Sequence, residues 1–423
     1  MSTATRHQVA VPAGAAYEWK AVSLLSIAFG LVGLDRWIIA PLAPAIIADL
    51  NLRPQDINNL VAILGVTWGI SALLMGGLSD RIGRRKVLLP AILLFSLCAG
   101  LSGVAGGLAG LLLIRGVMGV AEGAFCPTSF AATAEASKPA RRGFNQGLQQ
   151  SMFALLGLGF GPIIATWLLG FMSWRGVFLL VTLPGLVLAW LLWLVIREPS
   201  GLGAWDSPAP VPAPVPAEAS LGCVLRVRNI RLGMLGLLCA MCGIFVLSAN
   251  VPLYLANHLG LSPTQMGIVT SAIGFGGFVG QWALPALSDF AGRRPMAVLG
   301  FAGGALFLFA FIQTGNHPLL LFVNLFAATS FSFGLLALLT GPVAAEAAPP
   351  GMMSTASGVI IGVGEIFGGG LALVIAGMVI TRFGIEYMLY LALGGLLVGT
   401  ALMPFLNETA PRRSARVGYK LHE

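Results

Sequence analysis

Long apolar runs alternate along the chain with short polar or glycine-rich breaks. A helix needs about 17 to 25 mostly apolar residues to cross a bilayer. Runs of that kind lie near 21–48, 57–79, 87–106, 109–132, 144–171, 176–196, 231–256, 265–287, 296–314, 318–342, 355–380 and 387–406. The breaks at 106–110 and 314–318 are the weakest boundaries in the series. The pattern predicts an all-α membrane protein of twelve transmembrane helices. The stretch ahead of the first run has no separate apolar core, so no cleavable signal peptide is expected. Residues 199–221 are rich in proline and alanine and read as an extended linker. Six runs precede it and six follow, which divides the chain into a bundle at 1–198, a cytoplasmic linker at 199–228, and a second bundle with a tail at 229–423.

Composition agrees with the pattern. Only 9% of residues are charged and 57% are hydrophobic, with a mean hydropathy of +0.89, whereas a soluble domain carries roughly 25% charged residues. The basic residues are unevenly placed. With the N-terminus inside, 19 of the 24 Lys and Arg fall on the cytoplasmic side. Only Arg53, Arg175 and Arg382 fall outside, and Arg36 and Arg115 lie within the membrane. This bias predicts that both termini are cytoplasmic. It also accounts for the net charge of +8 without a nucleic-acid partner, since no aromatic-studded basic face accompanies the charge.

The two halves repeat. Leu78-Ser79-Asp80-Arg81-Ile82-Gly83-Arg84-Arg85 follows the second run, and Leu287-Ser288-Asp289-Phe290-Ala291-Gly292-Arg293-Arg294 follows the eighth. Equivalent loops in two six-helix halves indicate a duplicated carrier with its site near the midplane between them. The first copy, extended by Gly76-Gly77 and Lys86, resembles the loop 2–3 signature of the major facilitator superfamily. The resemblance implies two pseudo-symmetric six-helix bundles and a cytoplasmic latch formed by Asp80, Arg81, Gly83, Arg84, Arg85, Asp289, Arg293 and Arg294. Pro285 and Phe290 replace the Gly76 and Arg81 of the first copy, so the second latch is expected to be the weaker.

Five ionisable residues stand inside apolar runs: Asp35 and Arg36 in the first, Arg115 and Glu122 in the fourth, and Glu365 in the eleventh. A charge at bilayer depth costs from ~3 to more than ~10 kcal/mol, so such residues face a polar cavity or each other and mark a site for substrate, ion or proton. The set Asp35-Arg36 with Arg115 and Glu122 resembles the anion:cation symporter family, which includes bacterial sugar-acid, sialin and vesicular glutamate carriers. Gly123-Ala124-Phe125-Cys126-Pro127, Lys138-Pro139-Ala140-Arg141-Arg142-Gly143 and Trp174-Arg175-Gly176-Val177-Phe178 also resemble strings of that family. The resemblance implies that Arg36 binds substrate and that Asp35 and Glu122 carry protons. It gives Arg115 a substrate or conformational role. It also implies a multi-pass protein of the bacterial inner membrane, expected as a monomer. Glu365 departs from the family, where a neutral residue such as Asn is common; it is a third proton-coupling candidate, the alternatives being that it binds a substrate hydroxyl or pairs with another residue.

Residues seven apart on a helix differ by about 20° in direction and roughly 10 Å in height. Arg115 and Glu122 therefore share one face and can each reach Asp35 or Arg36 on the first helix. The alternative is a permanent ion network joining helices 1 and 4, but Gly116, Gly119 and Gly123 offer these helices a cheaper contact. With all five groups ionised the site carries a net −1 and repels an anion. Protonating Asp35 and Glu122 makes it +1 and frees both guanidiniums for charge-assisted, bidentate bonds to a carboxylate. Proton and anion then favour each other's binding, which is the thermodynamic core of symport.

Gln149, Gln150, Tyr254, Gln281, Asn324 and Ser357 are further candidate substrate ligands, each equally able to satisfy a neighbouring helix. Trp37 and Trp68 either line the cavity or pack. Cys239 and Cys242 read C-x-x-C but lie in an apolar run with no other ligand nearby, so neither metal nor cofactor is expected. No catalytic motif is present and an enzyme is not expected. The leading expectation is proton-coupled uptake of a small organic anion such as a sugar acid. The alternative is a proton-driven antiporter exporting a drug or metabolite, which the partial likeness of Gly157-Leu158-Gly159-Phe160-Gly161-Pro162 to a drug-antiporter motif keeps open.

Overall fold

The computed structural model describes residues 15–137, 142–196, 221–349 and 353–409. The side chains of Asp80, Arg81 and Ser357, the loop residues 138–141 and the linker residues 197–220 lie outside the described ones. Twelve long helical rods follow in order: α1 (Ala16–Leu50), α2 (Pro54–Ile82), α3 (Arg84–Ser102), α4 (Leu108–Ala136), α5 (Asn145–Leu168), α6 (Trp174–Val195), α7 (Arg228–His258), α8 (Pro263–Ala291), α9 (Arg293–Gln313), α10 (Pro318–Ala347), α11 (Gly358–Phe383) and α12 (Tyr387–Phe405). Eleven of them are long and apolar enough to cross a membrane, and α2, at 29 residues, completes the set. A short helix at Leu221–Arg226 occupies the end of the expected linker, and α7 begins two residues later.

The sequence repeat reappears as packing. In the first half α2 lies against α4, and in the second α8 lies against α10. The halves meet along α2–α11 and α5–α8. At the second contact the backbones touch, because a Cβ on Gly274 would overlap the backbone N of Gly159. The small residues of α4 serve a partner other than the one expected. Gly119 and Gly123 face the carbonyls of Leu64 and Trp68 on α2, not α1.

The repeated loops turn at Gly83 (φ 104°) and Gly292 (φ 101°), a conformation that a residue with a Cβ rarely adopts. Each places an arginine at the next position. Arg84 donates to Ser79 Oγ at 2.8 Å and to Glu135 of α4 at 3.0 Å. Arg293 meets Glu346 of α10 at 2.8 Å and Asp289 at 2.6 Å. Both clamps hold the end of the fourth helix within their own half. The second was expected to be the weaker. There Glu408 also accepts from the backbone N–H groups of Arg293 and Arg294.

The far end of the molecule is sealed across the halves. Asn58 of α2 and Asn250 of α7 exchange hydrogen bonds at 2.8 and 2.9 Å, both fully buried. Gln55 donates to the Val374 carbonyl of α11 at 3.4 Å.

Candidate functional site

Between the halves lies a cavity of about 290 Å³. Its lining on α2 (Trp68, Gly69, Ala72) and on α8 (Gln281) lies toward the ends bearing the repeated loops, away from the Asn58–Asn250 seal. At the inner limit of this space α1 brings Arg36. Its Nη2 lies 3.3 Å from Glu365 Oε2 on α11, with both side chains buried. The pair joins the first half to the second.

Local structure explains how each partner arrives. The regular part of α1 ends at Trp37, so Arg36 occupies the last turn before the break at Ile38. Gly65 leaves it a passage beside α2, since a Cβ there would lie 3.3 Å from Arg36 Nη2. Glu365 sits in a π-helical segment, Gly364–Leu371, within α11. Such segments shift the side-chain register and recur at functional sites. The guanidinium is boxed by aromatic rings, 4.8 Å from the Phe245 centroid, 5.5 Å from Trp68 and 5.8 Å from Trp37. Arg36 Nε and the indole N–H groups of Trp37 and Trp68 have no hydrogen-bond partner among the described residues.

The five ionisable residues within the apolar runs thus fall into two groups. Arg36 and Glu365 line the cavity. Asp35, Arg115 and Glu122 stand behind it, buried between α1 and α4. Among the described residues Arg115 bonds no carboxylate. Its Nη1 donates to the backbone carbonyls of Asp35 at 3.0 Å and Arg36 at 3.2 Å, and its guanidinium lies 5.7 Å from the Phe178 ring. The carboxylates of Asp35 and Glu122 accept no hydrogen bond among the described residues. The arginine therefore fixes the backbone that carries Arg36.

The weaker candidates also divide. Gln150 and Gln281 line the cavity. Gln149 donates to Ser129 at 2.9 Å, Asn324 donates to Thr314 at 3.1 Å, and Tyr254 stacks on His258. None of these three is among the lining residues. Trp37 and Trp68 do line it, together with Phe29, Phe130, Phe153 and Phe245. Sequence reasoning missed these phenylalanines. Phe29 was within reach, since it stands seven residues before Arg36 and shares its helix face. Glu135 and Glu346 were missed as clamp partners, although Ala-Glu-Ala recurs in both halves.

Comparison with known proteins follows the same lines. The family model described as Major Facilitator Superfamily matches residues 25–360 and 233–421. A putative metabolite transport protein of Haemophilus influenzae is 28% identical over 387 residues, covering 88% of this chain and 91% of its own. A probable 4-methylmuconolactone transporter of Cupriavidus pinatubonensis is 28% identical over 369 residues, covering 84% and 82%. Among solved structures, a bacterial homologue of the human lysosomal transporter Spinster, inward-facing and unoccupied, superposes with a TM-score of 0.78. It covers 93% of this chain and 97% of its own at 17% identity, a likeness that establishes the fold.

Proposed function

The chain belongs to the Major Facilitator Superfamily and is a multi-pass membrane transporter, and from that premise we propose that it takes up a small organic anion together with protons by alternating access. The observation that carries this reading is the Arg36–Glu365 pair at 3.3 Å between the halves. Arg36 is the one cation among the described lining residues, and a planar guanidinium suits a carboxylate. In the empty site Glu365 acts as its internal counter-ion. An incoming carboxylate displaces Glu365, and the link between the halves passes to the substrate.

Asp35 and Glu122 are the proton carriers of this reading. An unpaired buried charge is costly, so an arrangement that offers their oxygens no donor suits the neutral acids. Arg115 acts through the backbone of Asp35 and Arg36 instead of touching substrate. Discharge of the two acids alters the field at Arg36 and couples proton release to anion release. The excess of Lys and Arg beside the repeated loops places that end, and both termini, in the cytoplasm of a bacterial inner membrane. On this reading the carrier is a monomer whose cavity opens to the inside, and the Asn58–Asn250 contact closes the outer end.

The test is reconstitution in proteoliposomes with an imposed inward proton gradient and a radiolabelled carboxylate. Accumulation dependent on the gradient, with counterflow in its absence, is the expected result. Gradient-driven extrusion of the same anion would replace symport by antiport.

A further inference from the structure

We infer that the ligand is a carboxylate borne on a single aromatic ring; the inference deepens the organic-anion reading and rests on it. The walls of the cavity are the starting point. Beside the three rings that box Arg36, Phe29 contacts Phe130 and Phe153 at centroid separations of 5.0 and 5.4 Å, and all three face the same space. Phe333 lines it from the second half. The remaining wall includes Leu237, Met241, Ile244, Leu336 and Ile361.

Polar side chains are few. Among the described lining residues they are Arg36 and Glu365, which answer each other, Gln150, Gln281 and Thr340, and the indole N–H groups of Trp37 and Trp68. Thr340 already donates to the Leu336 carbonyl at 2.8 Å. A sugar acid carries a hydroxyl on nearly every carbon. Each hydroxyl taken from water without a partner costs about 1–3 kcal/mol, and the described wall, apolar over most of its residues, offers few partners for four or five of them. An aromatic ring reverses the balance, because its burial gains roughly 25 cal/mol per Å² and ring–ring contacts add about 0.5–1.5 kcal/mol. The volume of about 290 Å³ lies just below the roughly 300–1,000 Å³ typical of small-molecule pockets, which suits one ring.

The polar groups specify where the ligand is anchored. The carboxylate takes Arg36, whose Nε and neighbouring indole N–H groups lack partners among the described residues. The ring then extends toward Phe29, Phe130 and Phe153. Gln281 Oε1 accepts no hydrogen bond among the described residues and can accept one from a ring hydroxyl.

The experiment is isothermal titration of the purified full-length protein at one pH with benzoate, 4-hydroxybenzoate, cyclohexanecarboxylate, glucuronate and galactonate. The two aromatic acids should bind at least about tenfold more tightly than either sugar acid. They should also outbind cyclohexanecarboxylate, which matches benzoate in charge and approximate size but lacks the ring electrons. Phe130→Leu and Phe153→Leu should each narrow the margin between benzoate and cyclohexanecarboxylate while sparing far-ultraviolet circular dichroism. Tighter binding of a sugar acid, or equal binding of benzoate and cyclohexanecarboxylate, overturns the inference and leaves the anion reading in place. Failure of every carboxylate to bind, with the fold intact, overturns the anion reading itself.

Discussion

Arg36 and Glu365 stand 329 residues apart in the chain and 3.3 Å apart in the fold, one from each half of the molecule. A buried ion pair adds little net stability, because desolvation offsets most of the attraction. Its value here lies in being exchangeable. The empty carrier holds its own anion in the position a substrate would take, so Arg36 has a carboxylate partner both with and without cargo. A carrier that must return empty needs that compensation, and the pair supplies it across the boundary that has to move.

Competition between Glu365 and substrate makes the first prediction. Glu365→Gln removes the internal anion and leaves Arg36 unopposed. Affinity for a carboxylate at neutral pH should rise at least about fivefold, within the usual range of site–site coupling. Gradient-driven uptake should persist at a lower rate, because the empty carrier has lost its counter-ion for the return. Calorimetry and uptake are compared on one preparation. Unchanged affinity in Glu365→Gln would show that the carboxylate and the substrate do not compete.

Arg36 itself supports a second. Lysine keeps the charge but not the planar fork, and it lacks the delocalised guanidinium that stands 5.5 and 4.8 Å from the Trp68 and Phe245 ring centroids. Binding to Arg36→Lys should weaken at least about tenfold, or about 1.4 kcal/mol. Near-wild-type affinity in Arg36→Ala would remove Arg36 from the site.

A third concerns coupling. Glu122→Gln mimics a permanently protonated acid at a position where no hydrogen-bond partner is disturbed among the described residues. The variant should bind substrate and catalyse counterflow, yet fail to accumulate against a concentration gradient when an inward proton gradient is imposed. Asp35→Asn should behave alike, since its side chain is equally unbonded. Full gradient-driven accumulation by both variants, with loss only in Glu365→Gln, would move the proton site to α11.

Helix number, the division into halves and the repeated loops were legible because each rests on a pattern local to the chain: apolar length, linker composition, or an eight-residue repeat. Arg36, Glu365 and the acids of α1 and α4 were legible as well, because a charge inside an apolar run is conspicuous. The pairing of Arg36 with Glu365 was not. It depends on how α11 packs against α2 and α7 opposite α1, and nothing along the helices encodes that arrangement. The same holds for Arg115, whose charge suggested a ligand for a carboxylate, while its hydrogen bonds go to two backbone carbonyls. The aromatic wall was hidden for the opposite reason. In an apolar helix a phenylalanine facing a cavity and one facing lipid look the same. Phe245 and Phe333 are buried at 4% and 3% exposure, whereas Phe309 and Phe383 reach 49% and 59%.

The outer seal provides the last prediction. Asn58 and Asn250 satisfy each other reciprocally, and Asn250 also donates to the Val246 carbonyl of its own helix at 3.0 Å. Removing one partner strands the other in an apolar contact, at a cost of about 1–3 kcal/mol, but only while the halves are closed at this end. When they part, water solvates the remaining amide. Asn58→Ala should therefore bias the carrier toward the state open at this end by roughly tenfold, since about 1.4 kcal/mol corresponds to that ratio. A single cysteine introduced as Ala62→Cys, at a buried position one turn from Asn58 on the same helix face, with the five native cysteines replaced, reports the change through its rate of labelling by an impermeant thiol reagent. Asn250→Ala should act in the same direction, and the double variant should exceed neither single variant by much, because both remove one shared interaction. Additive effects, or labelling rates that match the parent, would mean that the two asparagines do not hold the seal.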